Sequence, residues 1–250
     1  MSCFTSTTFV GRGSVWVLCS MVLAALVALQ CAGGSSGPTI LPDSDGAASG
    51  WALPADALGT QRLFRVRYEG QEGHGGMKLV LKLSSDSRFQ VSTTDALGRP
   101  MWSLQASEVE TLLIDHRGKG FCRAMDILLP DPVLEAMPWR SLPRVLLGYL
   151  PTEPETIDHS SAEEIDFRGR DGRRWTSRLD AGRPTSWVLW EESRPALWWS
   201  RQGEGGVLSH RQGIQIRWRE IVNEPLQSPL VDLQVPSGYE SLECHTRDLP

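Results

Sequence analysis

The chain has 250 residues, 40% of them hydrophobic, with 25 Lys and Arg against 30 Asp and Glu and a formal charge of −5. That acidic balance, with arginines scattered among acids and no basic stripe in the linear sequence, argues against nucleic acid as a partner. G-x-S-x-G occurs only in the small-residue stretch Gly33-Gly34-Ser35-Ser36-Gly37, with no strand-to-helix elbow around it, there is no P-loop or H-E-x-x-H, and the histidines at 74, 116, 159, 210 and 245 lack ligand-like spacing, so the residues suggest neither an enzyme nor a cofactor.

An apolar run from Val15 to Leu29 follows a start whose only charged side chain is Arg12, and small residues follow it (Ala32-Gly33-Gly34-Ser35-Ser36-Gly37). This is the pattern of a secretory signal, and the run is shorter than the roughly 20 apolar residues of a comfortable membrane span. Cys31 at its border suggests a bacterial lipid anchor, although Gln30 stands where lipoboxes place a small residue. Three readings therefore stay open: acylation at Cys31, ordinary cleavage after Ala32-Gly33-Gly34, and an uncleaved anchor. The sequence divides into a signal at 1–30, an anchor cysteine and flexible linker at 31–58, and one domain at 59–250. Outside the cytoplasm Cys122 and Cys244 are free to pair, since Cys3 and Cys19 leave with the signal.

The domain begins with period-two patterning. Phe64, Val66 and Tyr68 alternate with Arg65, Arg67 and Glu69; after the turn-rich 70–76, Met77, Leu79, Leu81 and Leu83 alternate with Lys78, Val80, Lys82 and Ser84. Further strands fit Arg88 to Ser92, Trp102 to Gln105, Val109 to Ile114 and Gly120 to Arg123, separated by turn residues. Two short helices are expected next. Asp131-Pro132 starts the first, with Val133, Leu134 and Met137, and Pro138 stops it. Ser141 caps the second, with Pro143 in its first turn and Gly148 and Pro151 at its end. Strands resume at Trp175 to Leu179, Ser186 to Trp190, Ala196 to Ser200, Val207 to His210 and Ile214 to Ile221, with turns at Asp171-Gly172, Ala181-Gly182 and Gly205-Gly206. The fold class is α+β, mainly antiparallel β, with about ten or eleven strands around two central helices; a sheet this wide curls. Trp198 and Trp199 must lie on opposite faces, so one of them meets solvent, lipid or a partner. The acidic pairs Glu163-Glu164 and Glu191-Glu192 read as solvated faces, and Arg168 to Arg174 as a wet loop.

Three segments resemble the LolA/LolB family of bacterial lipoprotein carriers and receptors. They are Asp86-Ser87-Arg88-Phe89-Gln90-Val91-Ser92-Thr93-Thr94-Asp95-Ala96-Leu97-Gly98-Arg99, the strand-turn-strand from Val109 to Gly120, and Trp139-Arg140-Ser141-Leu142-Pro143-Arg144-Val145-Leu146-Leu147-Gly148-Tyr149-Leu150-Pro151. The likeness covers about Arg62 to Ile221; Arg168 to Arg183 and the tail after Asn223 have no counterpart in it. The resemblance implies an incomplete, half-open β-barrel covered by helices, with a cavity for acyl chains. It implies a non-catalytic, monomeric outer-membrane lipoprotein on the periplasmic face. Its partners would be acylated lipoproteins or phospholipid, a soluble periplasmic carrier and the membrane surface. Leu97 matches the leucine of the receptor's protruding loop, which enters the membrane. For the acyl-binding cavity the candidates are Phe64, Val66, Met77, Leu79, Leu81, Phe89, Val91, Trp102, Leu104, Leu146, Trp187, Leu189, Ile214, Ile216 and Trp218. Alternation says which of these share a face, but leaves open whether that face lines a cavity or a filled core. An envelope scaffold that binds a protein partner with the same fold is the alternative.

Overall fold

The computed structural model describes residues 53–71, 73–85, 87–125, 127 and 139–244. The expected signal segment, Cys31, most of the linker and the first of the two expected helices lie outside the described residues.

The strands form two up-and-down meanders. The first comprises β1 (Thr60–Gly70), β2 (Gly73–Leu83), β3 (Phe89–Asp95), β4 (Pro100–Ala106), β5 (Thr111–Asp115) and β6 (Gly120–Ala124). After helix α1 (Leu142–Leu146) come β7 (Pro154–Ser160), β8 (Glu164–Gly169), β9 (Arg174–Asp180), β10 (Arg183–Glu191), β11 (Arg194–Gln202), β12 (Gly205–His210) and β13 (Gln215–Pro225). Antiparallel pairing of β1 with β13 joins the meanders side by side, and β14 (Glu240–Ser241) adds in parallel to β6. The result is a single open sheet with β14 at one edge and β7 at the other.

This is the half-open antiparallel sheet expected, but with fourteen strands rather than ten or eleven. The extra strands are β7, β8 and the two-residue β14. The supposed wet loop Arg168 to Arg174 is the tip of the β8–β9 hairpin, turning at Gly172 (φ 72°). Gly205 and Gly206 lie inside β12 rather than in a turn, and the bend falls at Gly203 and Glu204. Val109 sits in an exposed bend just before β5.

One face of the sheet carries the core. Cross-strand pairs align Leu83 with Phe89 and Phe89 with Ala106, Leu81 with Val91 and Val91 with Leu104, and Phe64 with Leu79. Across the junction Val66 faces Trp218, and in the second meander Trp199 faces Trp187 while Leu189 lies between Leu197 and Trp175. Full burial of each such side chain contributes about 1.5–3 kcal/mol, which makes this face the main source of stability. The far end of the linker belongs to it. Leu53 and Ala57 are buried in the same cluster, and Thr60 Oγ1 donates to the Ala57 carbonyl at 2.6 Å.

The opposite face of β3–β5 is crossed by the C-terminal segment. Gln105 donates to Asp232 Oδ1 at 2.7 Å, the Gln90 amide donates to the Val231 carbonyl, and Leu230 is buried. Leu112 and Ile114, which alternate with the core-packed Leu113, are buried there as well. His116 bridges Ser103 Oγ (2.9 Å) and the Tyr239 hydroxyl (3.2 Å) under this strap. A disulfide joins Cys122 to Cys244, with Cα atoms 5.4 Å apart, where the strap meets β6.

Candidate functional site

Strand alternation and pairing bring every expected lining residue to one place. Phe64, Val66, Leu79, Leu81, Phe89, Val91, Leu104, Leu146, Trp187, Leu189, Ile214 and Trp218 are buried in a common apolar cluster, and Met77, Trp102 and Ile216 pack against it half-buried. For the apolar side chains of β1, β2 and β4, exposure follows position along the strands. The end holding the β2–β3 and β4–β5 turns is shut: Leu83, Phe89 and Ala106 have no exposed surface, and the 55–57 turn packs beside them. The half-buried Tyr68, Met77, Trp102 and Ile216 all lie toward the other end, where the β1–β2, β3–β4 and β12–β13 turns form a rim. Between β1 and β4 the inner face therefore closes at one end and is partly wet at the other.

Tryptophans line the second meander. Trp175 and Trp187 meet edge to face with centroids 5.5 Å apart, Trp187 stacks on Trp199 at 6.0 Å, and Phe167 stacks on Trp175 at 6.4 Å. The Nε1–H groups of Trp175, Trp187 and Trp199 are buried and find no acceptor among the described residues. Each such orphan costs about 1–3 kcal/mol, so this wall is apolar by packing yet carries spare donors. The Trp218 indole, in contrast, donates to the Leu146 carbonyl at 3.0 Å and ties α1 to the sheet. Helix α1 ends as its sequence requires. Gly148 takes φ 78°, its N–H bonds the Val145 carbonyl, and the Tyr149 N–H bonds the Arg144 carbonyl at 2.8 Å. Its start differs from expectation: Ser141 has helical backbone angles and makes no side-chain cap, because a 3-10 turn at Trp139–Ser141 runs straight into it. Near the shut end a cavity of about 420 Å³ lies between α1 and β13, edged by Arg62, Gly148, Arg201, Glu204 and Glu220. Two of its cations are held internally: Arg62 pairs with Glu220 at 2.9 Å and Arg201 donates to the Gly148 and Pro184 carbonyls.

At the rim, Leu97 is 78% exposed at the tip of the β3–β4 turn. Asp95 organises that turn. Its Oδ1 accepts from the Leu97 and Arg99 N–H groups (2.9 and 3.0 Å), and its Oδ2 accepts from Arg99 Nε at 2.7 Å, with Arg117 3.5 Å away. The Arg99 side chain, then the backbone donors, hold the Asp95 carboxyl below the usual carboxylate range.

A LolA superfamily protein from Nitrosomonas europaea superposes with a TM-score of 0.50, over 73% of this chain and 92% of that one, at 8% identity. The chain has a LolA/LolB-like fold. A DUF1329 family protein from Desulfovibrio piger superposes at a TM-score of 0.45, with 6% identity over 68% of this chain and 87% of its own. No family model and no curated protein matches the chain.

Within the LolA/LolB-like fold, sequence reasoning missed Trp175, Trp199, Phe167, Leu83 and Tyr68 as parts of the inner wall. Alternation with Trp187 and Leu189 carries that signal, once β8 and β9 are recognised as their neighbours. Trp198 is 39% exposed on the outer side while Trp199 is buried, as alternation requires. Among the described residues no group of His, Cys, Asp and Glu is arranged to hold a metal, and no helix is long and apolar enough to cross a membrane.

Proposed function

We propose that this protein binds acyl chains of lipoproteins or phospholipids against its inner face and passes them to the outer membrane, to which Cys31 tethers it. The observation that carries the reading is the gradient along the inner face, from a shut end at Leu83 and Phe89 to a partly wet apolar rim at Tyr68, Met77, Trp102 and Ile216. Acyl chains enter such a face from the rim and gain dry contacts, while their headgroups stay in water. Leu97 stands on the same rim, where a rigid apolar tip beside Arg99 suits the headgroup boundary. Transfer of this kind needs graded affinity and no covalent step.

Native mass spectrometry of gently purified protein tests the binding: co-purifying phospholipid or acyl-protein is expected. Leu97→Glu should fold normally yet fail to deliver lipoprotein to liposomes, and normal delivery by the folded variant would sink the role of the loop. Palmitate labelling of wild type against Cys31→Ser tests the tether. A second reading, an envelope scaffold, is favoured by the complete burial of Phe64, Leu81, Trp187 and Leu189 by the protein's own side chains. A strictly lipid-free domain carrying a protein partner would establish it.

A further inference from the structure

The outward face at the centre of the sheet is strongly basic, which the linear sequence conceals. Arg65 and Arg67 on β1 point away from the core between Phe64, Val66 and Tyr68. Pairing sets Arg65 directly opposite Arg219 on one side and Lys78 on the other, and sets Arg67 opposite Arg217. Lys82 continues the row on β2. Of these six, all but Lys82 are exposed. Only two carboxylates share this face of β13, β1 and β2: Glu224, which accepts from Gln61 at 3.0 Å, and Glu69, opposite His74. Arg65, Arg67, Lys78, Lys82 and Arg219 have no ion pair among the described residues, and Arg217 bonds only the neutral Gln215.

Like charges directly opposite each other destabilise a sheet, and this chain carries net negative charge elsewhere. Concentrating cations here creates a local positive field against the overall balance. On the same outward side, Trp198 is exposed beside Ser209, which pairs with Gln215 next to Arg217. Cations grouped with an exposed indole match the charge and polarity of an anionic bilayer interface.

We propose that this outward face of β13, β1 and β2 docks onto a bilayer surface bearing anionic phospholipid, an inference that rests on the membrane-side location proposed above. The cations meet headgroup phosphates, Trp198 sits at the interface level, and the inner face stays free for acyl cargo on the opposite side of the sheet.

Vesicle flotation tests it, using the full chain with Cys31→Ser so that no acyl anchor contributes. Vesicles of phosphatidylcholine alone are compared with vesicles that also contain phosphatidylglycerol. Binding should favour the anionic vesicles by about tenfold or more and weaken steeply as salt rises above about 0.1 M. Arg65→Glu with Arg217→Glu should remove that preference, and Arg65→Gln with Arg217→Gln should reduce it. Arg183→Glu with Arg194→Glu, an equal charge change off this face, should leave it. Equal binding to both vesicles, equal loss in the off-face control, or unchanged binding by the reversed variant overturns the proposal. So does a face that binds an oligonucleotide or polyglutamate while ignoring the vesicles. Uptake of a fluorescent fatty acid by the reversed variant distinguishes a failed face from a failed interior.

Discussion

Asp95 and Leu97 are coupled through the backbone: the carboxylate of one accepts the N–H of the other at 2.9 Å and so fixes the most exposed leucine on the rim. The Arg99 guanidinium closes the same carboxylate from the far side at 2.7 Å. The turn is thus presented as a rigid apolar tip, and order stored beforehand lowers the cost of placing Leu97 in a bilayer.

That coupling has a pH sign. The folded-state pKa of Asp95 is depressed, so its support of the turn is fully present above the ordinary carboxylate range and is lost as pH falls through the lowered value. Hydrogen exchange of the Leu97 and Arg99 amides should therefore accelerate in acid, after correction for intrinsic rates. Asp95→Ala should show the faster exchange already at neutral pH while the core strands keep their protection. Unchanged exchange at both amides in that variant would mean that the turn is held by something else.

Much of this architecture is legible in the chain because period-two alternation survives wherever one face is apolar. Phe64-Val66-Tyr68 and Met77-Leu79-Leu81-Leu83 announce their strands and their faces together. Strand β7 escapes that logic, whereas β8 carries it in the short alternation of Ile165 and Phe167 with Glu164, Asp166 and Arg168. The segment from Pro154 to Ser160 has Ile157 as its one large apolar residue, and β7 is an edge strand with little to bury. The β10–β11 hairpin turns through Glu192 and Ser193, both at positive φ, where sequence reading looks for Asn or Gly. The basic face is hidden for another reason. Arg65 and Arg219 become neighbours only through the β1–β13 pairing, which joins the beginning and end of the domain.

The tryptophan wall depends on one glycine. A Cβ on Gly206 would run into Trp199 Nε1, Trp218 Cζ2 and Trp199 Cε2 at once. Gly206→Ala should destabilise the domain by about 1–3 kcal/mol, the usual cost of forcing an extra carbon into a packed core. Near-ultraviolet circular dichroism should report the displaced indoles, and urea unfolding the loss. A variant with wild-type stability and an unaltered aromatic spectrum would show that the wall yields freely.

The Cys122–Cys244 bond closes a loop of 122 residues and clamps β14 to the β6 edge through a pairing only two residues long. Replacing both cysteines with alanine should cost roughly 2–4 kcal/mol of unfolding free energy. The amides of Gly120–Ala124 should lose protection before those of β1 and β13, because the clamp covers an edge while β1 and β13 lie at the centre of the sheet. Uniform loss of protection across all strands would instead make the bond a global staple.

The basic face yields a prediction opposite in direction to a packing mutation. Arg65 faces Arg219 and Lys78 across the sheet, so Arg65→Glu converts two like-charge pairs into two opposite-charge pairs. Opposite pairs contribute roughly 0.2–1 kcal/mol each, so the variant should unfold at a higher urea concentration than wild type. The gain should shrink as salt is raised, because these side chains are exposed and screened. If binding to anionic vesicles falls in the same variant while stability rises, the cations are retained at a cost to the fold, and the surface they meet is the reason. A variant less stable than wild type at low salt would show instead that Arg65 supports the sheet by packing its aliphatic stem, and the like-charge pairing would carry no functional meaning.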